Sequence, residues 1–304
     1  MATKFFARPF VADTIARLAQ RGPGPRVPAT KWFSGLPVTT ESVSVATRHG
    51  EVAATVYRPA VDADDRPVYV NFHGGAFVIR HPEQDDAMCR YLAASAGVVV
   101  VNVDYDVAPA HRFPDQVEEG FDAVRWAANE ARPWDGSRLC VGGQSAGGSI
   151  AAGAARLALE AGGPGIALQV LHYAPLDLVT LGEAKRAARK AVVSVPIAYI
   201  ANTAYIPSVE MREDRLASPA WGSNADHLDG IAPALVITCE RDRLHDEGEH
   251  YARKLDEAGA LLEHVDLPGQ DHGYNLLTAD RAVIEHVYAL IARHVTATTA
   301  GSPG

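Results

Sequence analysis

The chain has 304 residues, enough for one large α/β unit with a sizeable core, and 47% of them are hydrophobic, an ordinary share for a globular protein. Lys and Arg total 28 against 37 Asp and Glu, a formal net charge of −9 that argues against nucleic acid or an anionic membrane as the main partner. Three cysteines, Cys89, Cys140 and Cys239, are too few for a disulfide framework and lack metal-ligand spacing, so reduced thiols in a cytoplasmic protein are expected.

Met1 to Arg8 lacks the charged and apolar regions of a signal peptide, and no uncharged apolar stretch reaches the roughly 18 residues of a membrane span. From Phe5 to Gln20 the pattern predicts one amphipathic helix, broken by Gly22-Pro23-Gly24-Pro25. Alternating runs at Ser42 to Thr47 and Val52 to Tyr57, with His49-Gly50 between them, predict a β-hairpin.

After Arg66-Pro67 the pattern changes to apolar strands alternating with helices. Strands are expected at Val68 to Phe72, Val98 to Val103, Leu139 to Gly142, Ala167 to Tyr173, Ala234 to Cys239 and Leu262 to Leu267. Helices are expected at Asp85 to Ser95, Asp115 to Ala131, Ala146 to Glu160, Asp246 to Ala258 and Ala279 to Val295. This order implies right-handed crossovers and a mostly parallel sheet covered on both faces. The stretch Val179 to Asp229 breaks the alternation and reads as an insertion that could form a lid. Within it, Lys185-Arg186 and Arg189-Lys190 read as a solvated helix face, and the tail Thr296 to Gly304 reads as frayed.

The strongest local motif is Gly143-Gln144-Ser145-Ala146-Gly147, between an expected strand and an Ala-rich helix. By composition alone the bare pattern arises in roughly one chain of this size in ten, so its weight comes from its position. A sharp strand-to-helix turn there presents Ser145 as a nucleophile at the carboxyl edge of the sheet, and the glycines allow close backbone packing. His73-Gly74-Gly75-Ala76-Phe77 follows an earlier strand and reads as an oxyanion loop. The N–H groups of Gly74, Gly75 and Ala146 are its expected donors, with His73 as scaffold.

A base and its orienting acid should follow in the order acid, then histidine. Of the 12 histidines, only His272 falls in the loop between the last strand and the last helix. Asp242 follows the strand ending at Cys239; its rival Asp246 reads better as a helix N-cap, and Asp271 is too near its neighbour to reach that ring.

Together these residues resemble the hormone-sensitive-lipase-like branch of the α/β-hydrolases. The family's His-Gly-Gly loop matches His73 to Gly75, its Gly-Asp-Ser-Ala-Gly-Gly elbow matches Gly143 to Gly148, and its acid segment matches Asp242 to Asp246. Its His-Gly-Phe matches His272 to Tyr274, and its Asp-Tyr-Arg-Leu-Ala-Pro-Glu-His matches Asp104 to His111. Gln144, Ala76, Asp106, Ala110 and Arg243 depart from the pattern, which suggests rewired polar support around Ser145.

The resemblance implies an α/β-hydrolase fold with a cap segment at 1–40, core at 41–178, cap insertion at 179–229 and core again at 230–304. It implies a serine carboxylesterase acting on short- to medium-chain or aryl esters through an acyl-enzyme, with no metal or organic cofactor. Phe77, Gln144 and Tyr274 are expected to contact substrate, and Phe5, Phe6, Phe10, Trp32 and Phe33, with the Val179 to Asp229 segment, to form its acyl or alcohol pocket. A small-molecule ester is the expected partner, with a homodimer through a sheet edge as the pairing relatives often show. An amidase or formamidase using the same triad is the alternative, and a non-catalytic small-molecule receptor, as among gibberellin-receptor relatives, is the other.

Overall fold

The computed structural model describes residues 3–23, 26–60, 65–186, 188 and 190–300. Gly24 and Pro25 of the expected helix break, Arg189 of the basic run and the last four residues of the tail lie outside the described residues.

Two helices, α1 (Thr3–Phe6) and α2 (Pro9–Ala19), replace the single N-terminal one, because Pro9 lacks the N–H that would continue it and sits comfortably as a first helical residue. After α3 (Thr30–Phe33) come β1 (Val38–Thr47) and β2 (Gly50–Pro59), an antiparallel pair whose register places Thr47 opposite Gly50. The hairpin is where the alternation put it, with longer strands. The alternating part then runs β3 (Pro67–Phe72), α4 (Asp86–Ala96), β4 (Val99–Asp104), α5 (Asp115–Ala127), β5 (Asp135–Gln144), α6 (Ala146–Ala161) and β6 (Leu168–His172). It continues through α7 (Val195–Tyr205), β7 (Ala234–Cys239), α8 (His245–Glu257), β8 (Leu261–Leu267), α9 (Tyr274–Leu277) and α10 (Arg281–Thr299).

Two helix ends differ from expectation for visible reasons. Helix α5 stops at Ala127, short of Ala131, where the Trp134 indole N–H donates to the Ala127 carbonyl at 2.8 Å and satisfies one of its orphan acceptors. Helix α10 runs on to Thr299 rather than fraying at Thr296. The hydroxyls of Thr296, Thr298 and Thr299 donate to carbonyls four residues back, and Thr299 is buried.

The eight strands form one sheet in the order β1-β2-β4-β3-β5-β6-β7-β8. Pairings β1–β2 and β2–β4 are antiparallel and the others parallel. Side chains of α5, α6 and α8 bury one face, and those of α4 and α10 the other, which explains why the central strands are continuous apolar runs. A third cluster sits over the carboxyl edge, where Ala12 and Ala16 of α2 join Phe77, Ala204, Tyr205 and Leu216. Helices α1 and α2 pack against α7, an arrangement that places the start of the chain and the 179–229 insertion together above the sheet. Helix α3 does not join them. It lies against α4, and its Phe33 packs in the opposite core with Tyr91 and Tyr288.

Candidate active site

Ser145 occupies the one-residue joint between β5 and α6 with φ 53° and ψ −126°, a left-handed conformation that a serine adopts only when its surroundings enforce it. The enforcement is steric. A Cβ at Gly147 would lie 1.9 Å from the Phe72 carbonyl oxygen and one at Gly143 2.4 Å from the same atom, so both positions require glycine. The Ser145 N–H donates to the His172 carbonyl at 2.9 Å, fixing the turn to the next strand.

His272 lies in the loop after β8, and its Nε2 is 2.8 Å from Ser145 Oγ. Its Nδ1 is 2.7 Å from Asp242 Oδ2, on the loop after β7. The Asp242 side chain is almost wholly buried, and its other oxygen accepts the Leu244 N–H at 3.2 Å. Three sequence-distant residues thus form one hydrogen-bonded line. Asp271 is occupied elsewhere, accepting from the N–H groups of His272 at 2.7 Å and Val192 at 3.0 Å. Asp246 is not the N-cap expected of it: Leu244 holds that position, and Asp246 binds His245 at 2.8 Å and Arg186 at 3.3 Å.

The loop after β3 runs beside this line. A Cβ at Gly74 would lie 3.4 Å from Ser145 Cβ and 3.1 Å from the Gln144 carbonyl, which locates that glycine against the elbow. Gly75 has φ +141°, and a Cβ there would collide with the Ile79 carbonyl at 2.3 Å. The Gly74 carbonyl is braced by Gln84 Nε2 at 2.8 Å and by His73 Nδ1 at 2.6 Å. Ala146 is the first residue of α6, so its N–H has no acceptor within the helix. His73 is fully buried and stacked on Tyr105 at 4.4 Å. Burial pulls its pKa down to about 4 against the opposing pull of the Gly74 carbonyl, which keeps the ring a neutral scaffold.

A cavity of about 260 Å³ opens above Ser145 and His272, between the sheet edge and α7. Leu178, Leu181, Val193, Ile197 and Leu276 make most of it apolar. Phe77 lines it while stacked on Tyr205 at 4.0 Å.

Of the other two expected substrate contacts, Tyr274 needs correction. Tyr274 is not part of the cavity wall. Its ring is buried and its hydroxyl is 3.1 Å from His172 Nε2, because α9 turns it into the core beneath the histidine loop. Gln144 does line the cavity, but its side-chain atoms are engaged beneath the elbow. Its carbonyl accepts from Tyr173 at 2.6 Å and Asn275 at 2.7 Å, and its amide donates to Asp85. Phe5, Phe10, Trp32 and Phe33 also lie off the cavity wall, and Phe6 is absent from it; Phe10 is exposed and Phe33 is in the opposite core.

The sequence reading missed Asp85, Tyr173 and Asn275, which close the polar network under the elbow, and Arg243 as a lining residue; Tyr199, Asn202 and Arg212 line the cavity from within the 179–229 segment expected to form it. Tyr173 alone carried a signal, since it directly follows a parallel strand at its carboxyl end. The unusual Asp106 is also accounted for: Arg80 reaches both Asp104, at 2.7 Å, and Asp106, at 3.1 Å.

Fold and geometry are those of an α/β-hydrolase. Residues 69–276 match the family described as alpha/beta hydrolase fold. The carboxylesterase NlhH of Mycobacterium tuberculosis is 33% identical over 232 residues, covering 74% of this chain and 71% of that protein. The ethyl acetate hydrolase of Pseudomonas putida is 33% identical over 252 residues, covering 78% and 76%. Among solved structures, a hyperthermophilic esterase from the archaeon Pyrobaculum calidifontis superposes with a TM-score of 0.81 at 30% identity, covering 96% of this chain and 98% of that one. The chain belongs to this α/β-hydrolase family, in the hormone-sensitive-lipase-like branch whose motifs it carries.

Proposed function

We propose that Ser145, His272 and Asp242 are the catalytic triad of this carboxylic ester hydrolase and that it acts on esters small enough for the cavity above them. The observation that carries the reading is the continuous line Ser145–His272–Asp242, with contacts of 2.8 and 2.7 Å. His272 takes the hydroxyl proton as Ser145 Oγ attacks the ester carbonyl. Asp242 holds the imidazole orientation and stabilises its cation. The N–H groups of Gly74, Gly75 and Ala146 receive the negative charge of the tetrahedral intermediate, each such donor being worth about 3 kcal/mol. His272 then returns the proton to the leaving alcohol, and water repeats the cycle on the acyl-enzyme to release the acid.

A cavity of about 260 Å³ supports short- to medium-chain acyl or aryl esters, and relatives named ethyl acetate hydrolase and arylesterase support the same range. The amidase and receptor readings gain no support from the relatives named here. We assign α1, α2 and 179–229 to a cap over the cavity, on the packing of α1 and α2 against α7. Three unpaired buried thiols support a cytoplasmic protein, and no helix among the described residues is long and apolar enough to cross a membrane. Pairing of two copies through a sheet edge is the homodimer the resemblance suggests, and β1 and β8 are the two outer strands.

The test is hydrolysis of p-nitrophenyl esters from acetate to palmitate by the wild type and by Ser145→Ala. Activity on short chains that vanishes in the variant is the expected result. Retention of most activity by a folded Ser145→Ala protein refutes the nucleophile.

A further inference from the structure

The cavity wall is cationic in an acidic protein. Lys185, Arg212 and Arg243 line it, and no Asp or Glu does so among the described residues. Lys185 is paired with Glu247, but no carboxylate ion-pairs with either arginine among the described residues.

Arg212 is only 5% exposed. Its Nε donates to the Ile206 carbonyl at 2.9 Å and its Nη2 to Thr203 Oγ1 at 3.3 Å, and Nη1 has no partner among the described residues. Arg243 is held in the same way. Its Nε donates to the Val193 carbonyl at 2.7 Å, and its Nη1 to the carbonyls of Gly182 at 2.5 Å and Lys185 at 3.2 Å, and Nη2 has no partner among the described residues. Every bond these side chains make among the described residues is to a neutral acceptor. Both guanidinium groups are oriented but not neutralised; Arg243 is half-buried, and the burial of Arg212 without a counter-charge is costly. Those bonds brace the cap, yet neutral side chains of similar length could pack there without a buried charge. A planar guanidinium with a free terminal nitrogen is the group best suited to bind a carboxylate in a desolvated cavity.

We infer that the cavity recognises an anionic group on its substrate, so that the preferred esters carry a free carboxylate held by Arg212 and Arg243 while Ser145 attacks the ester carbonyl. This deepens the proposed function and rests on it. The reaction is unchanged: water adds across the ester, giving an acid and an alcohol, and the second carboxylate passes through intact.

The carboxylate can sit on the acyl or the alcohol side, and paired substrates separate the two. One pair is the mono-4-nitrophenyl ester of adipic acid against 4-nitrophenyl hexanoate, matched in acyl length. Adipate is long enough to limit attack by its own carboxylate, and the uncatalysed rate is subtracted. The other pair is 3-carboxyphenyl butyrate against phenyl butyrate. The inference predicts a kcat/KM about tenfold or more higher for the anionic member of at least one pair, as a charge-assisted bond in a desolvated site is worth at least that. The preference should lie mainly in KM, weaken with added salt and fall in both Arg212→Met and Arg243→Met. Arg212→Lys, which keeps the charge, should retain part of it.

Equal or lower kcat/KM for the anionic member of both pairs overturns the inference and leaves the esterase reading standing. A preference unmoved in both methionine variants overturns it too. If no ester of either kind is turned over in a Ser145-dependent way, the proposed function itself fails.

Discussion

Gln144 adjoins Ser145 where the family's motif carries an acid, and its amide here meets a buried carboxyl, Asp85. Asp85 lies buried against the Gln144 amide and takes a second hydrogen bond from Asn71 at 2.9 Å. Burial raises the Asp85 pKa to about 7 although both hydrogen bonds pull it down. Gln144→Glu would set two buried carboxyls face to face, where both cannot ionise. It is expected to cost about 3 kcal/mol or more above neutral pH, with a smaller loss near pH 5, as urea midpoints at the two pH values would show. At the acid of the triad, Asp242→Asn keeps the size but disrupts the His272 tautomer. The expected result is a fall in kcat of about 10³- to 10⁴-fold with an unchanged circular dichroism spectrum. A kcat within tenfold of wild type would mean that Asp242 does not orient the base. Residue-level chemistry was legible where backbone geometry demands a particular side chain. Gly143, Gly147 and Gly75 mark turns that admit nothing larger. Tyr274 was misread because motif membership does not reveal which way a side chain points.

The loop bearing Gly74 and Gly75 is held by contacts at both ends, and its geometry gives a direct test. Gly75→Ala is strained at φ +141° and drives a Cβ into the Ile79 carbonyl, so the loop must shift. The expected effect is a fall in kcat of at least tenfold, with little change in the main unfolding transition, because the loop lies outside both large core clusters. Above it, α2 and α7 are tied by Arg112, which binds Asp13 at 2.7 Å and the Ala204 carbonyl at 2.7 Å. Arg112→Ala should loosen α7, part of the cavity wall, and raise KM for longer acyl chains more than it lowers kcat on acetate. Steady-state constants across the ester series decide this. The strands were readable because a parallel sheet leaves unbroken apolar runs, and the 179–229 segment stood out by lacking them. Its path over the sheet was not readable, since α7 packs through small residues such as Ala201 and Ala204 that have no distinctive pattern. Trp32 and Phe33 were drawn to the cavity by their aromatic character, yet α3 serves the opposite core.

Across the whole molecule, buried titratable groups pull stability in opposite directions. His172 is fully buried, and burial, reinforced by nearby His272, lowers its pKa to about 3. That lies below its ordinary 6.5, so the unfolded chain takes up a proton first and the folded state loses stability as pH falls from 6.5 towards 3. Asp85, Glu119 and Glu247 behave oppositely: burial raises each to about 7, so stability falls as pH rises from near 4 to 7. His172→Phe removes the acid-side loss alone, and its stability should drop less than that of the wild type between pH 7 and pH 4.5 in urea titrations. An equal drop would show that His172 is not held neutral in the core. Fold class and the chain order of the hydrogen-bonded Ser145, Asp242 and His272 were legible from sequence because both follow from strand–helix alternation and loop position. The polar network under the elbow and the cationic cavity wall were not, since they join residues as distant as Asp85, Gln144 and Asn275 through packing alone.

The measurement that bears most directly on the central claim is mass spectrometry of the protein after reaction with an aryl phosphonate that traps serine hydrolases, followed by peptide mapping. The account predicts one adduct per chain, on Ser145, formed in step with loss of esterase activity. It should form far more slowly in His272→Ala and be absent in Ser145→Ala. An adduct on another residue, or full activity with Ser145 modified, would contradict it.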